Sequence, residues 1–178
     1  MGNSSKENFI LDSNCFITPS KQFYSFDLVP TFWNCLKDQN KSQYIHIIDR
    51  VKDELCHETV DDNKDDVQKW VELEYNGNIL TTGDEEILEN YAEVLNHVQN
   101  SGKYKESALE QWSNIKIADP WLIATAKKFD YTIVTFETGQ NLQIKNKAKA
   151  AKIPNVCDHF GVKYCTLYEM MYKLNIKI

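Results

Sequence analysis

Three short runs, Phe9-Ile10-Leu11, Tyr44-Ile45-His46-Ile47-Ile48 and Tyr131-Thr132-Ile133-Val134-Thr135, are dominated by apolar and β-branched residues. A strand with one solvated face alternates in polarity, so such runs predict strands covered on both faces. Helical segments separate them. The first run closes in Asp12-Ser13-Asn14, read as a polar turn. From Pro30, Phe32, Trp33 and Leu36 share one helical face, and the second run leads into a helix joining Val51, Leu55 and Val60. Asp61 to Asp66 opens another helix, with acids where a helix N-terminus favours them. Ile79-Leu80-Thr81 reads as a short strand or extended link. Asp84 to Val98 is amphipathic, with Ile87, Leu88, Tyr91, Leu95 and Val98 on one side and Glu85, Glu86, Glu89 and Glu93 on the other. Ile117 to Phe129 is the clearest helix, with Asp119 as N-cap and Pro120 at the first helical position. Short apolar stretches follow around Val156 and at Val162 to Cys165, then a closing helix from Thr166. Strands alternating with helices predict an α/β fold, three layers α/β/α around a mainly parallel sheet.

With 178 residues and 42% hydrophobic content, the chain is expected to form one domain over residues 1–178, with residues 1–7 flexible. The net charge of −6 argues against a general nucleic-acid binder, but it is unevenly spread. Residues 1–126 hold 11 Lys/Arg against 22 Asp/Glu, net −11; residues 127–178 hold 9 Lys against 4 acids, net +5. A phosphate-bearing partner is drawn to one end and repelled from the other. No apolar run approaches the about 18 residues of a membrane helix, so no membrane association is expected. The N-terminus has no secretory stretch, and Lys6 breaks the myristoylation pattern. The five cysteines are scattered without a C-x-x-C, which reads as reduced thiols of a cytoplasmic protein.

In an open α/β sheet, ligands bind beyond the carboxyl ends of the strands. Asp12 ends the first strand and Glu137 lies just past the Ile133-Val134 strand. Glu54 and Asp119 lie on helices bordering the same crevice. Four carboxylates gathered in a partly buried cleft raise one another's pKa, and a divalent cation relieves that conflict. Oxygen-only ligands select Mg²⁺ or Mn²⁺ over zinc. Each acid also has an ordinary reading: Asp12 as a turn residue, Glu54 on a helix surface, Asp119 as a cap and Glu137 in a loop. Lys145, Lys147, Lys149 and Lys152 follow the proposed site and suit contacts to nucleic-acid phosphates, or simply a solvated segment. Tyr24, Phe26, Trp33 and Trp121 suit either base stacking or core packing.

The blocks Phe9-Ile10-Leu11-Asp12-Ser13-Asn14, Val51-x-x-Glu54-Leu55, Ala118-Asp119-Pro120-Trp121-Leu122-Ile123-Ala124-Thr125-Ala126 and Ile133-Val134-Thr135-Phe136-Glu137 resemble a PIN-domain nuclease in order and spacing. The length, and the tail from Lys152 to Val162, are similar to a less characterised PIN-like subgroup of bacteria and archaea. The resemblance implies a PIN-like fold with Asp12, Glu54, Asp119 and Glu137 as catalytic metal ligands, supported by Asn14 and Thr135. Many members carry Asp in the fourth block, so Glu137, one methylene longer, is a departure. The implied reaction is hydrolysis of RNA phosphodiesters assisted by Mg²⁺ or Mn²⁺, leaving 5′-phosphate and 3′-hydroxyl ends. The implied partners are an RNA substrate, an antitoxin protein whose peptide blocks the cleft, and a second copy in a homodimer. The alternative is a non-catalytic PIN-like module that binds nucleic acid or protein. On the nuclease reading the Asp12, Glu54 and Asp119 carboxylates are expected about 4–6 Å apart, around one cation; carboxylates turned outward from an empty site would suit the binding module.

Other chemistries fit less well. A phosphatase with Asp12 as nucleophile wants Asp at position 14, which is Asn. The six glycines never cluster into a phosphate loop. Cys56, His57, Cys157 and His159 lack a zinc-ligand spacing.

Overall fold

The computed structural model describes residues 7–75 and 77–178. The N-terminal readings on residues 1–6 lie outside the described residues. Glu7, by contrast, accepts hydrogen bonds from Thr132 and Lys173.

Five parallel strands form the sheet: β1 (Phe9–Leu11), β2 (Ile45–Ile48), β3 (Ile79–Leu80), β4 (Thr132–Val134) and β5 (Tyr164–Cys165), in the order β3-β2-β1-β4-β5. Phe9 stands opposite both Ile45 and Thr132, and Val134 opposite Leu11 and Cys165. Every residue of β1, β2 and β4 is buried, because helices cover both faces of these strands. The chain passes from β1 to β2 on one side and reaches β4 on the other. The carboxyl ends of β1 and β4 therefore flank a switch-point crevice.

The flanking helices fall into two groups. Phe16 of α1 (Asn14–Gln22), Trp33 of α2 (Pro30–Lys41) and Trp70 of α4 (Asp66–Leu73) meet in an aromatic cluster, with Trp33 and Trp70 rings 5.3 Å apart. In the second group, α5 (Glu85–Asn100) packs along α7 (Asp119–Phe129), with Tyr91 stacked on Trp121 at 3.7 Å, and α6 (Glu106–Trp112) and α8 (Ile153–Phe160) pack beside them. The short α3 (Asp49–Leu55) follows β2 directly, and α9 (Leu167–Lys173) closes the chain behind a Thr166–Glu169 capping box. Trp33 and Trp121 are core residues at 2% and 4% exposure, Phe26 stacks on Trp33, and Tyr24 packs on Phe32. Trp33 and Trp121 are therefore core residues and not base-stacking platforms, while Tyr24 and Phe26 are half-buried at the edge of the core.

Several elements depart from expectation. The turn after β1 runs straight into α1, which carries Pro19 in its interior, where proline argues against a helix. Both α6 and α8 stand where no helix was expected. In α8 the run around Val156 is helical from Ile153, with Pro154 in the first turn and Gly161 at φ 68° ending it. Val60 is 55% exposed, because α3 stops at Leu55. On α5, Leu88 turns outward and Asn90 inward, where its amide donates to the Ala124 carbonyl at 3.3 Å. All five cysteines are free thiols. Among the described residues, no helix is long and apolar enough to cross a membrane.

Candidate active site

The parallel ladder carries β1 and β4 one residue further as backbone: Asp12 N–H donates to Val134 O at 3.0 Å, and Thr135 N–H to Cys165 O at 3.1 Å. This fixes Asp12 and Thr135 side by side in the crevice, both almost fully buried. The Thr135 hydroxyl donates to Asp12 Oδ2 at 3.1 Å and accepts from Glu137 N–H at 3.0 Å, so its proton direction is set. Asn14, itself exposed, reaches the same oxygen only at 3.5 Å. Burial pushes the Asp12 carboxyl above its ordinary pKa, and the charges of Glu54 and Glu137 add to this. The hydrogen bonds from Thr135 and Asn14 pull the other way.

Glu54 bridges three segments. Its Oε2 accepts from the Ser13 hydroxyl at 2.8 Å, and its Oε1 from Ala118 N–H at 2.9 Å. It thereby ties α3 to the β1–α1 turn and to the residue before α7. Ala118, not Asp119, occupies the cap position of α7, and it does so without a side-chain cap bond. Asp119 is the first helical residue, contrary to the N-cap expected of an acid before proline. Its carboxylate has no hydrogen-bond partner among the described residues. Burial, then the charges of Asp12, Glu137 and Glu54, push it up to about 8, and only Lys152 opposes them.

Glu137, like Glu54, accepts a hydrogen bond on each oxygen. Lys152 Nζ donates to Oε1 and Ile153 N–H donates to Oε2 at 2.8 Å, so the carboxylate sits at the start of α8. Lys152, expected among the phosphate contacts, is instead committed to this pair. Lys145, Lys147 and Lys149 are exposed and make no ion pair among the described residues. Their loop is stitched to residues 103–107 through Lys105 N–H to Ala148 O at 2.8 Å and Ser107 Oγ to Lys149 O at 2.8 Å.

The structure therefore brings Asp12, Glu54, Asp119, Glu137 and Thr135 into one electrostatic neighbourhood, with Asn14 at its edge. It does not present the expected shell of closely spaced carboxylates. Among the described residues, no group of three or more His, Cys, Asp or Glu side chains is arranged to hold a metal ion. Glu54 and Glu137 each accept a hydrogen bond from the protein on both oxygens. Asp119 is left without a donor, and Asp12 Oδ1 is the weaker of two acceptors for one Ser13 proton. Oxygen-only, with one weakly bonded oxygen on the buried Asp12 and no donor on the half-buried Asp119, this pair suits a hard divalent cation by donor chemistry. Three groups that shape the site escaped sequence reasoning, the Ser13 hydroxyl, Ala118 N–H and Ile153 N–H, while Lys152 was expected on phosphate and not on Glu137. Only Ser13 had a local signal, its place between Asp12 and Asn14.

Over residues 9–178 the chain matches the family model described as Domain of unknown function (DUF4411). No curated protein matches it in sequence. Among solved structures, it is similar to the crystal structure of FitAcB from Neisseria gonorrhoeae, with a TM-score of 0.52 and 17% identity, covering 88% of this chain and 95% of that one. At that identity the likeness concerns the fold: a five-stranded parallel sheet flanked by helices, of PIN-like type.

Proposed function

Since the chain belongs to the DUF4411 family and has a PIN-like fold, we propose that it is an endoribonuclease dependent on Mg²⁺ or Mn²⁺, acting as the toxin of a toxin–antitoxin pair in the cytoplasm. The observation that carries this reading is the Asp119 carboxyl, half-buried in the neighbourhood of Asp12, Glu54 and Glu137 and without a donor among the described residues. A structural acid in that position normally finds a hydrogen-bond partner, whereas a cation ligand keeps its lone pairs available.

Asp12 and Asp119 would hold the ion directly, with Glu54 and Glu137 as the remaining acids of the set. A bound Mg²⁺ or Mn²⁺ would polarise the scissile phosphate and lower the pKa of a coordinated water. The chain's own groups supply placement. Thr135 fixes one oxygen of Asp12, while Glu54 locks the turn carrying Asp12 to the start of α7 carrying Asp119. Lys152 offsets the charge of Glu137. Lys145, Lys147 and Lys149 draw the RNA backbone towards an otherwise acidic crevice. An antitoxin protein and a second copy of the chain are the partners this reading calls for.

The test is Mn²⁺-dependent cleavage of single-stranded RNA by the purified protein. Asp12→Asn and Asp119→Asn are each expected to abolish cleavage while the thermal midpoint stays level or rises. Cleavage that survives either substitution sinks the reading. One observation favours a second reading, a PIN-like binding module without catalysis: each carboxylate oxygen of Glu54 and Glu137 already accepts a hydrogen bond from the protein. RNA or protein binding without cleavage at any Mg²⁺ or Mn²⁺ concentration would support it.

A further inference from the structure

Arg50 is the only arginine in the chain; every other basic residue of the Lys/Arg class is lysine. It sits on α3 one helical turn before Glu54, so the two side chains share a face. They do not pair, because Glu54 is turned away to Ser13 and Ala118. Among the described residues, no carboxylate pairs with this guanidinium at all. It is nevertheless firmly placed. The buried Thr82 hydroxyl donates to Asp49 Oδ1 at 2.8 Å, which leaves its lone pair to accept from Arg50 Nε–H at 3.2 Å. Asp49 also accepts from the Thr82 and Arg50 backbone N–H groups. From the other side, the guanidinium lies 5.1 Å from the centre of the Trp121 ring, which is backed by Tyr91. Trp121 follows Asp119 by two residues. One N–H of five is used, and the four on the terminal nitrogens have no partner among the described residues.

These four donors belong to a residue that lines a cleft of about 530 Å³ together with Asp53, Glu54, His57, Ile115 and Lys116. The cleft begins at Glu54, so it abuts the acidic crevice. Asp53 and Glu54 would repel a phosphate there unless a fixed cation offset them. A guanidinium oriented by stacking and one hydrogen bond matches a phosphate in two-point geometry. Lysine, the residue used everywhere else, offers a point charge instead. We infer that Arg50 is a phosphate clamp, with Lys116 and His57 beside it, that grips the backbone of single-stranded RNA next to the bond held at Asp12 and Asp119. The substrate side of this inference rests on the nuclease reading above.

The test uses binding without divalent ions, measured by anisotropy of a fluorescein-labelled single-stranded oligoribonucleotide. Arg50→Gln is expected to weaken binding about tenfold and to lower the slope of log affinity against log salt by the share of roughly one phosphate. An Arg50→Gln protein with wild-type affinity and slope overturns the clamp, while Mn²⁺-dependent cleavage by wild type keeps the nuclease reading. Wild type that binds RNA but never cleaves it overturns the nuclease reading and leaves the clamp to the Arg50→Gln result. Wild type that binds no RNA overturns the clamp, and Mn²⁺-dependent cleavage decides the nuclease reading separately. A second measurement avoids any folding defect of the variant. Phenylglyoxal modifies arginine, and the chain has one, so modification of the wild-type protein reports on Arg50 alone. The oligoribonucleotide is expected to slow that modification several-fold; an unchanged rate overturns the clamp.

Discussion

The Ser13 hydroxyl donates to Glu54 Oε2 at 2.8 Å and not to its neighbour Asp12, whose Oδ1 is 3.3 Å away. A hydroxyl has one proton, so the shorter contact holds it. One oxygen of Asp12 is thereby left short of a donor, and the turn carrying Asp12 is fastened to α3 and, through Glu54, to the start of α7.

Removing that proton tests the fastening. Ser13→Ala leaves Glu54 with only the Ala118 N–H and should cost about 1–2 kcal/mol in urea unfolding. Cleavage should fall with it, because Asp12 and Asp119 lose their common brace. Full stability together with full activity would show that the Ser13–Glu54 bond does not organise the site.

Asp119 sets a pH dependence of unusual sign for a carboxylate. The unfolded chain releases its proton near the ordinary value of 3.8, and the folded chain near about 8. Between these values the native state binds more protons, so stability falls as pH rises, by up to about 5 kcal/mol. Asp12, also raised by burial, acts in the same direction. Asp119→Asn should therefore be more stable than wild type at pH 8 and close to it near pH 4. Unfolding curves across this window check it, and parallel profiles for the two proteins would refute the assignment.

A cation and a proton compete for the same lone pairs. Mn²⁺ should raise the thermal midpoint of the wild-type protein more at pH 8, where Asp119 is ionising, than at pH 5, where it is protonated. Asp119→Asn should remove most of the shift at both values. An equal midpoint shift in wild type and variant would place the ion elsewhere.

The sheet was legible because its strands are buried on both faces: Phe9-Ile10-Leu11 and Ile133-Val134 admit few other readings. The five-stranded order was not, because β3 and β5 are two residues each. Helix α1 was masked by Pro19, and α8 by Pro154 within a short apolar run. Candidate acids could be chosen from strand ends and helix starts, which are local features. Their partners could not, since Glu54 meets Ser13 and Ala118, and Glu137 meets Lys152, only through tertiary packing. Asp119 illustrates the limit of local rules. An acid before proline reads as a cap, yet here it caps nothing and faces other acids.

The lysine loop offers a prediction separable from catalysis. Lys145, Lys147 and Lys149 are exposed and unpaired among the described residues, and the backbone of their loop is held by Lys103, Lys105 and Ser107. Neutralising all three to Gln should leave the thermal midpoint within about 1–2 °C, since exposed side chains away from packing contribute little. Each phosphate of a single strand that a lysine no longer neutralises lowers the salt slope by about 0.7, so the triple variant should fall by roughly two units and weaken for every RNA sequence alike. Lys152→Gln is the internal contrast. It strips Glu137 of its cation within the crevice, so it should reduce stability as well as binding. If the triple variant keeps the full salt slope, the loop lies off the RNA path, and the attraction must come from the Arg50 side of the crevice.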